Sequence, residues 1–293
     1  MIDPISSGAV FSILRNIQIQ SAHIAQSSER LSSGFRINHA SDDPAGIFMV
    51  QSFLSQIGGL DSAARNNQIG ISMLQSGEAG LSGIQDLVSD IKTQSIAAQN
   101  GSLSTEQLQA IQQQVTSDFN GINSILSDTT FNGQLLLQGG SVTIQTGPNA
   151  GQTTTLNLPD ATSNGPNGIL SNGAGQSDLA NMEAAFVGVM NPTPASIAAA
   201  AANLQTAATS AFDLVGVQVS SLAGGENALS AQVSVLNTTS DATQGALSVI
   251  RDADIAAEAV KLSRAQLLQQ AGFAVLSMFN LQGSQVLKLL SPG

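Results

Sequence analysis

Two histidines, His23 and His39, and two close acidic pairs, Asp42-Asp43 and Asp252-x-Asp254, are the side chains whose type and spacing invite chemistry first. A His pair could relay a proton or hold a metal, but only if the fold brings these two together. The acidic pairs could bind a cation weakly. Each also sits just before a stretch of helical period, where a carboxylate caps free N–H groups. Capping explains them better than metal binding. There is no Cys, which excludes disulfides, thiol catalysis and Cys-ligated zinc or iron–sulfur sites. With so thin an inventory, the chain does not read as an enzyme, and no cofactor is expected.

Charge narrows the classes further. The 293 residues carry a net charge of −11, with only 10% charged and 3% aromatic residues. An acidic chain of this kind is not a nucleic-acid binder. All nine basic residues lie in 1–92 and 251–293, so 93–250 holds acids alone. No apolar run approaches the ~18 residues needed to span a bilayer, and no membrane insertion is expected. The first residues lack the charged and apolar regions of a secretory signal peptide.

Proline maps the elements. Residues 45–147 and 195–291 contain none, which permits long helices. Val10, Leu14, Ile17, Ser21, Ile24, Ser28 and Leu31 alternate spacings of four and three, the seam of a coiled coil. Gly34 is placed to stop that helix. A second helix begins at Asp42-Asp43-Pro44, an acidic cap followed by Pro in the first turn. It runs through Ile47, Val50, Leu54 and Ile57 to Ile91. Ser104-x-x-Gln107 has the form of a capping box and opens a third helix through Leu108, Val115, Ile122 and Leu126.

Val142 and Ile144 then alternate with polar residues, as do Thr154, Leu156 and Leu158. Between them lies Gly147-Pro148-Asn149-Ala150-Gly151, so a β-hairpin is predicted. The helical period returns near 195 and continues to Ile250. The last helix carries two apolar seams. One holds Leu268, Ala271, Val275 and Met278; the other holds Leu276, Phe279, Val286 and Leu290. A helix that is apolar on two faces must touch two neighbours, which is a first sign of self-association.

Several stretches resemble a known family. Arg30-Leu31-Ser32-Ser33-Gly34-Phe35-Arg36-Ile37-Asn38, followed by Ser41-Asp42-Asp43-Pro44-Ala45-Gly46, resembles the N-terminal signature of bacterial flagellin. Ser263-Arg264-Ala265-Gln266-Leu267-Leu268-Gln269-Gln270-Ala271-Gly272 resembles its C-terminal signature, and Phe131-Asn132-Gly133 also fits. The resemblance covers about 1–160 and 205–293.

It implies a mainly α fold. Residues 1–41 and 251–293 would form an inner coiled-coil layer. Residues 42–160 and 205–250 would form a helical bundle with a β-hairpin near 135–158. Residues 161–204 would be a short outer loop. It implies a structural subunit of the extracellular flagellar filament, partnered by copies of itself. Flagellar cap and hook-junction proteins, the type III export apparatus and an export chaperone would be further partners. A hook–filament junction protein and a flagellin-like adhesin are the alternatives.

The same resemblance assigns residues to roles. Val10, Leu14, Ile17, Ile24 and Leu31, with the two seams of the last helix, would make the self-assembling coiled coil. Arg30, Arg36, Asp42 and Asp43 would make polar contacts at the joint between layers. Flagellins that activate a vertebrate Toll-like receptor carry an Arg-rich face. Here Asp90 stands for an Arg, Gln94 for a Leu, Gln114 for a Glu and Asp118 for an Arg. A reversed charge at an interface centre costs several kcal/mol, so weak receptor activation is expected.

Overall fold

A computed structural model describes residues 4–162, 179–188 and 193–290; within the helices, the side chains of 4–7, 179–180, 182, 194, 280 and 282–290 lie outside the description. The element order is α1 (Pro4–Ser33), α2 (Pro44–Ala98), α3 (Thr105–Asp128), β1 (Thr130–Phe131), β2 (Gln134–Leu135), β3 (Ser141–Gln145), β4 (Thr153–Asn157), α4 (Leu179–Val187), α5 (Pro194–Arg251) and α6 (Ile255–Leu290). The fold is mainly α, with two small antiparallel strand pairs among the described residues. The chain divides into two compact units.

The first unit takes Met1–Ile57 and Asp241–Gly293. Here α1 packs along α6. Gly34 ends α1 as its sequence position suggests. It adopts a φ of 77°, and its N–H donates to the Arg30 carbonyl at 2.9 Å. Asp43 caps α2, its Oδ1 accepting from the Gly46 N–H at 2.9 Å, while Pro44 occupies the first helical position. Gly46 is required there. A Cβ would press against the Ile37 and Asp43 side chains.

The second unit, Gly58–Ser240, holds the main core. Leu81, Ile84, Val88 and Ile91 of α2 recur at helical spacing and are fully buried. They share that core with Leu108, Val115 and Ile122 of α3 and with Ile197, Ala201, Leu204 and Ala208 of α5. The α3 capping box forms as the sequence predicts, with Ser104 and Gln107 exchanging side-chain and backbone hydrogen bonds.

Asn132 and Gly133, both at positive φ, turn β1 into β2, as expected of an Asn-Gly pair in a two-residue hairpin loop. Strand β3 pairs with β4 with Val142 opposite Leu156 and Ile144 opposite Thr154. That register turns Val142, Ile144 and Leu156 onto the core.

The unit divisions fall inside α2 and α5, whereas sequence reasoning places them at helix ends, near 41 and 251. Helix α4 lies within the stretch read from sequence as an outer loop. Its Phe186 is fully buried, and the Phe186 carbonyl accepts from the Gln112 side chain at 2.6 Å.

Candidate functional site: the α1–α6 pair and its uncovered faces

On α1 the residues turned inward are Ile13, Ile17, Gln20, Ile24, Ser27 and Leu31. On α6 they are Glu258, Leu262, Ala265, Gln269, Gly272 and Leu276. Both sets keep the alternating three-and-four spacing of a coiled-coil seam. The seam read from sequence shares Ile17, Ile24 and Leu31 with the one formed. It differs at Leu14, Ser21 and Ser28, which are exposed, while Ile13, Gln20 and Ser27 take the inward places. Val10 is half-buried. Gly272 sets the close approach, because a Cβ there would lie 2.9 Å from Ile17 Cγ1.

The two seams of α6 separate in space. Leu276 is half-buried, at the end of the inward seam, while Phe279 sits at its exposed edge. Val286 and Leu290, also assigned to that seam, lie outside the described side chains. The other seam is largely uncovered, with Leu268 lining the cavity between α1 and α6. Leu268 is 48% exposed and Met278 61%, and Ala271 and Val275 are exposed as well. Leu267 and Leu281 widen this apolar strip, and Phe11 and Leu14 lie open on α1. A contiguous apolar strip of this kind marks an association surface.

Polar groups sit inside the α1–α6 seam. Glu258 is buried at 4% exposure and accepts from the Ser27 hydroxyl at 2.9 Å and from Lys261 Nζ at 2.9 Å. The Arg30 guanidinium lies 3.8 Å from it. The hydrogen bond from Lys261, more than any other contact, holds the Glu258 carboxyl below its ordinary pKa. Ser27 and the two cations add to this against the opposing effect of burial.

Arg30, Arg36, Asp42 and Asp43 are all engaged within the chain. Asp42 accepts from the backbone N–H groups of Asn38 and His39 and from Gln26, and lies 4.0 Å from Arg30. The His39 N–H bond is the largest influence lowering the Asp42 pKa. The Arg36 guanidinium donates to the Ile250 carbonyl at 2.6 Å. Beside it Arg251 stacks on the Phe35 ring, 3.9 Å from its centroid, a contact the sequence did not reveal. These contacts lock the α1–α2 turn to the α5–α6 turn.

In the second unit, Asp118 is buried and accepts from the Gln114 side chain at 2.7 Å, while its Oδ2 has no hydrogen-bond partner. Burial raises its pKa, and the nearby Asp90 charge adds to the rise. Asp90 is exposed and Gln94 half-buried.

The two histidines do not meet. His39 Nε2 contacts Glu29 at 2.7 Å, whereas His23 lines a cavity between α1 and α6. Asp254 caps α6, its Oδ1 accepting from the Ala257 N–H at 3.0 Å. No cluster of three or more metal-ligating side chains exists among the described residues. No helix among them is long and apolar enough to cross a membrane.

A family model described as the bacterial flagellin N-terminal helical region matches residues 7–141, and one described as the C-terminal helical region matches residues 200–290. A flagellin of Serratia marcescens is 40% identical over 49% of this chain and 41% of its own. An Escherichia coli flagellin is 40% identical over 55% of this chain and 30% of its own, so the chain spans less than half the length of these relatives. A flagellin of Halalkalibacterium halodurans is 30% identical over 94% of this chain and 95% of its own. The flagellar filament 30.7 kDa core protein of Treponema maltophilum is 31% identical over the same shares. A solved structure of a putative flagellar hook-associated protein from Vibrio parahaemolyticus has a TM-score of 0.63 at 16% identity, covering 71% of this chain and 99% of that one, a likeness of fold alone. With both terminal helical regions matched and relatives aligned along nearly their whole length, the chain belongs to the bacterial flagellin family.

Proposed function

We propose that this chain is a structural subunit of the extracellular flagellar filament and assembles with copies of itself into a helical polymer. The observation that carries this reading is the uncovered apolar seam of α6, Leu268–Ala271–Val275–Met278, beside a seam already occupied by α1. A heterologous contact whose rotation does not close builds an open filament, and a two-faced helix supplies such a contact. Full burial of each large side chain on this strip is worth ~1.5–3 kcal/mol. Each here is about half exposed, so roughly 1 kcal/mol per residue remains to be gained on association.

In this reading a cap and hook-junction proteins bound the filament, and a type III export apparatus with a chaperone delivers the chain. The filament reading is preferred to a hook–filament junction protein because the relatives aligned over 94% of the chain are called flagellin and filament core protein. The test is seeded polymerisation followed by electron microscopy. Wild type should extend filament fragments. The Leu268→Asp/Met278→Asp variant should stay monomeric with an unchanged helical circular dichroism spectrum. Filaments of normal length from that variant would overturn the assignment of this face.

A further inference from the structure

Three Asn-Gly pairs lie among the described residues, Asn100-Gly101, Asn120-Gly121 and Asn132-Gly133, and the Asn of each is exposed. Their backbones differ. Asn120 is inside α3, where the Gly121 N–H is bound into the helix ladder. Asn132 and Gly133 are held at positive φ by the pairing of Phe131 with Gln134. Asn100 follows the end of α2, in a turn closed by the Leu103 N–H donating to the Asn100 carbonyl at 3.2 Å. There the Ser102 N–H and hydroxyl both donate to Asn100 Oδ1, at 3.1 and 2.8 Å, which folds the side-chain amide over the Gly101 peptide. The Gly101 N–H and Asn100 Nδ2 make no hydrogen bond among the described residues. Open space surrounds Gly101, where a Cβ would meet nothing within 4 Å.

We propose that Asn100 is a site of spontaneous deamidation, losing its amide through attack by the Gly101 backbone nitrogen, with water as the co-reactant. The Gly101 nitrogen gives up its proton to solvent and bonds to Asn100 Cγ. The Cγ–Nδ2 bond breaks, and ammonia leaves with a proton returned by solvent. Water then opens the cyclic imide at either carbonyl, giving aspartate or isoaspartate with no change of oxidation state. Each part of the turn favours this. The two donors on Oδ1 polarise the Cγ carbonyl and stabilise the charge that gathers on the oxygen during attack. The nucleophile has no competing acceptor and no Cβ beside it. An exposed turn opens locally at little cost. At Asn120 the same attack must first break the helix, and at Asn132 the hairpin turn. Each event adds one negative charge to the α2–α3 turn and, as isoaspartate, one methylene to its backbone. The reaction needs a single chain and is independent of filament formation.

The full-length chain is incubated at mildly alkaline pH in water labelled with heavy oxygen, which marks each carboxyl the reaction forms. Residues 93–250 hold no base for tryptic cleavage, so the chain is cut at Leu and Phe and the peptides are read by mass spectrometry. Label should enter at Asn100 at least tenfold faster than at Asn120 or Asn132. In urea the three rates should converge, because the folded backbone alone separates them. Gly101→Ala, which fits the open space, should slow the reaction at Asn100 at least tenfold. Ser102→Ala should slow it at least twofold. An unchanged helical circular dichroism spectrum shows that both variants fold. Equal rates at the three sites in the folded chain, a difference that persists in urea, or indifference to either substitution would overturn the site.

Discussion

Replacing Glu258 should show how far a polar cluster holds the α1–α6 pair together. Glu258→Ala leaves the buried Ser27 hydroxyl without an acceptor, at ~1–3 kcal/mol. Lys261 is 63% exposed, so its ion pair adds only ~0.2–1 kcal/mol. Arg30 keeps Asp42 at 4.0 Å. Together the loss is about 3 kcal/mol for alanine. Glu258→Gln preserves an acceptor for Ser27 and should cost about 1 kcal/mol. Without Trp or Tyr, the suitable readout is amide hydrogen exchange in α1 and α6 peptides. Alanine should accelerate it about a hundredfold, glutamine about fivefold.

The pH dependence has a definite sign. The Glu258 carboxyl is lowered in the folded chain, so its stabilisation is fully present above the ordinary 4.5. It is lost as pH falls through the lowered folded value. Acid should therefore remove the difference between wild type and Glu258→Gln, while Glu258→Ala keeps the part due to Ser27, because a protonated carboxyl still accepts from its hydroxyl. If alanine and glutamine behaved alike, each changing exchange less than twofold at pH 7, the cluster would contribute nothing and the reasoning would fail.

Gly272→Val should pry α1 from α6 against Ile17, exposing both helices to exchange while the second unit keeps its protection. Asp118→Asn should stabilise the second unit at pH 7 in thermal melts. The raised Asp118 pKa means its penalty is absent below the ordinary 3.8 and grows as pH rises through the folded value, so the gain should vanish at pH 3. We also propose weak activation of the vertebrate flagellin receptor, since Asp90 is exposed and Asp118 is held by Gln114 where an Arg-rich face would be needed. A reporter-cell assay with strong nanomolar signalling would refute it.

Much of the fold was legible because its signals are local. The Asp43-Pro44 start, the Gly34 stop and the Ser104–Gln107 box each depend on a few adjacent residues, and each forms as read. Helix α4 escaped because nine residues give too few turns to establish a period; among its described side chains Phe186 is the buried one and Glu183 accepts from Thr116 of α3. The division of the chain within α2 and α5 was hidden for the opposite reason. A continuous helix shows no break in period where its packing partners change.

The α1–α6 pair shows why periodicity finds a seam more readily than its partner. Val10, Ile17, Ile24 and Leu31 are common to two overlapping heptad readings, one completed by Leu14 and the other by Ile13, and apolar character alone does not separate them. What separates them lies on α6. The intrachain seam there is the smaller and more polar one, with Glu258, Ala265, Gln269 and Gly272, and the partner face of α1 must match it. Ser27 faces inward because Glu258 needs a donor, and Ile17 because Gly272 leaves room. The richer apolar seam, through Leu268, Val275 and Met278, is left uncovered. Ranking faces by hydrophobicity therefore selects the wrong intrachain partner. In the proposed filament, the strongest apolar face is the one a single chain leaves for another copy to cover.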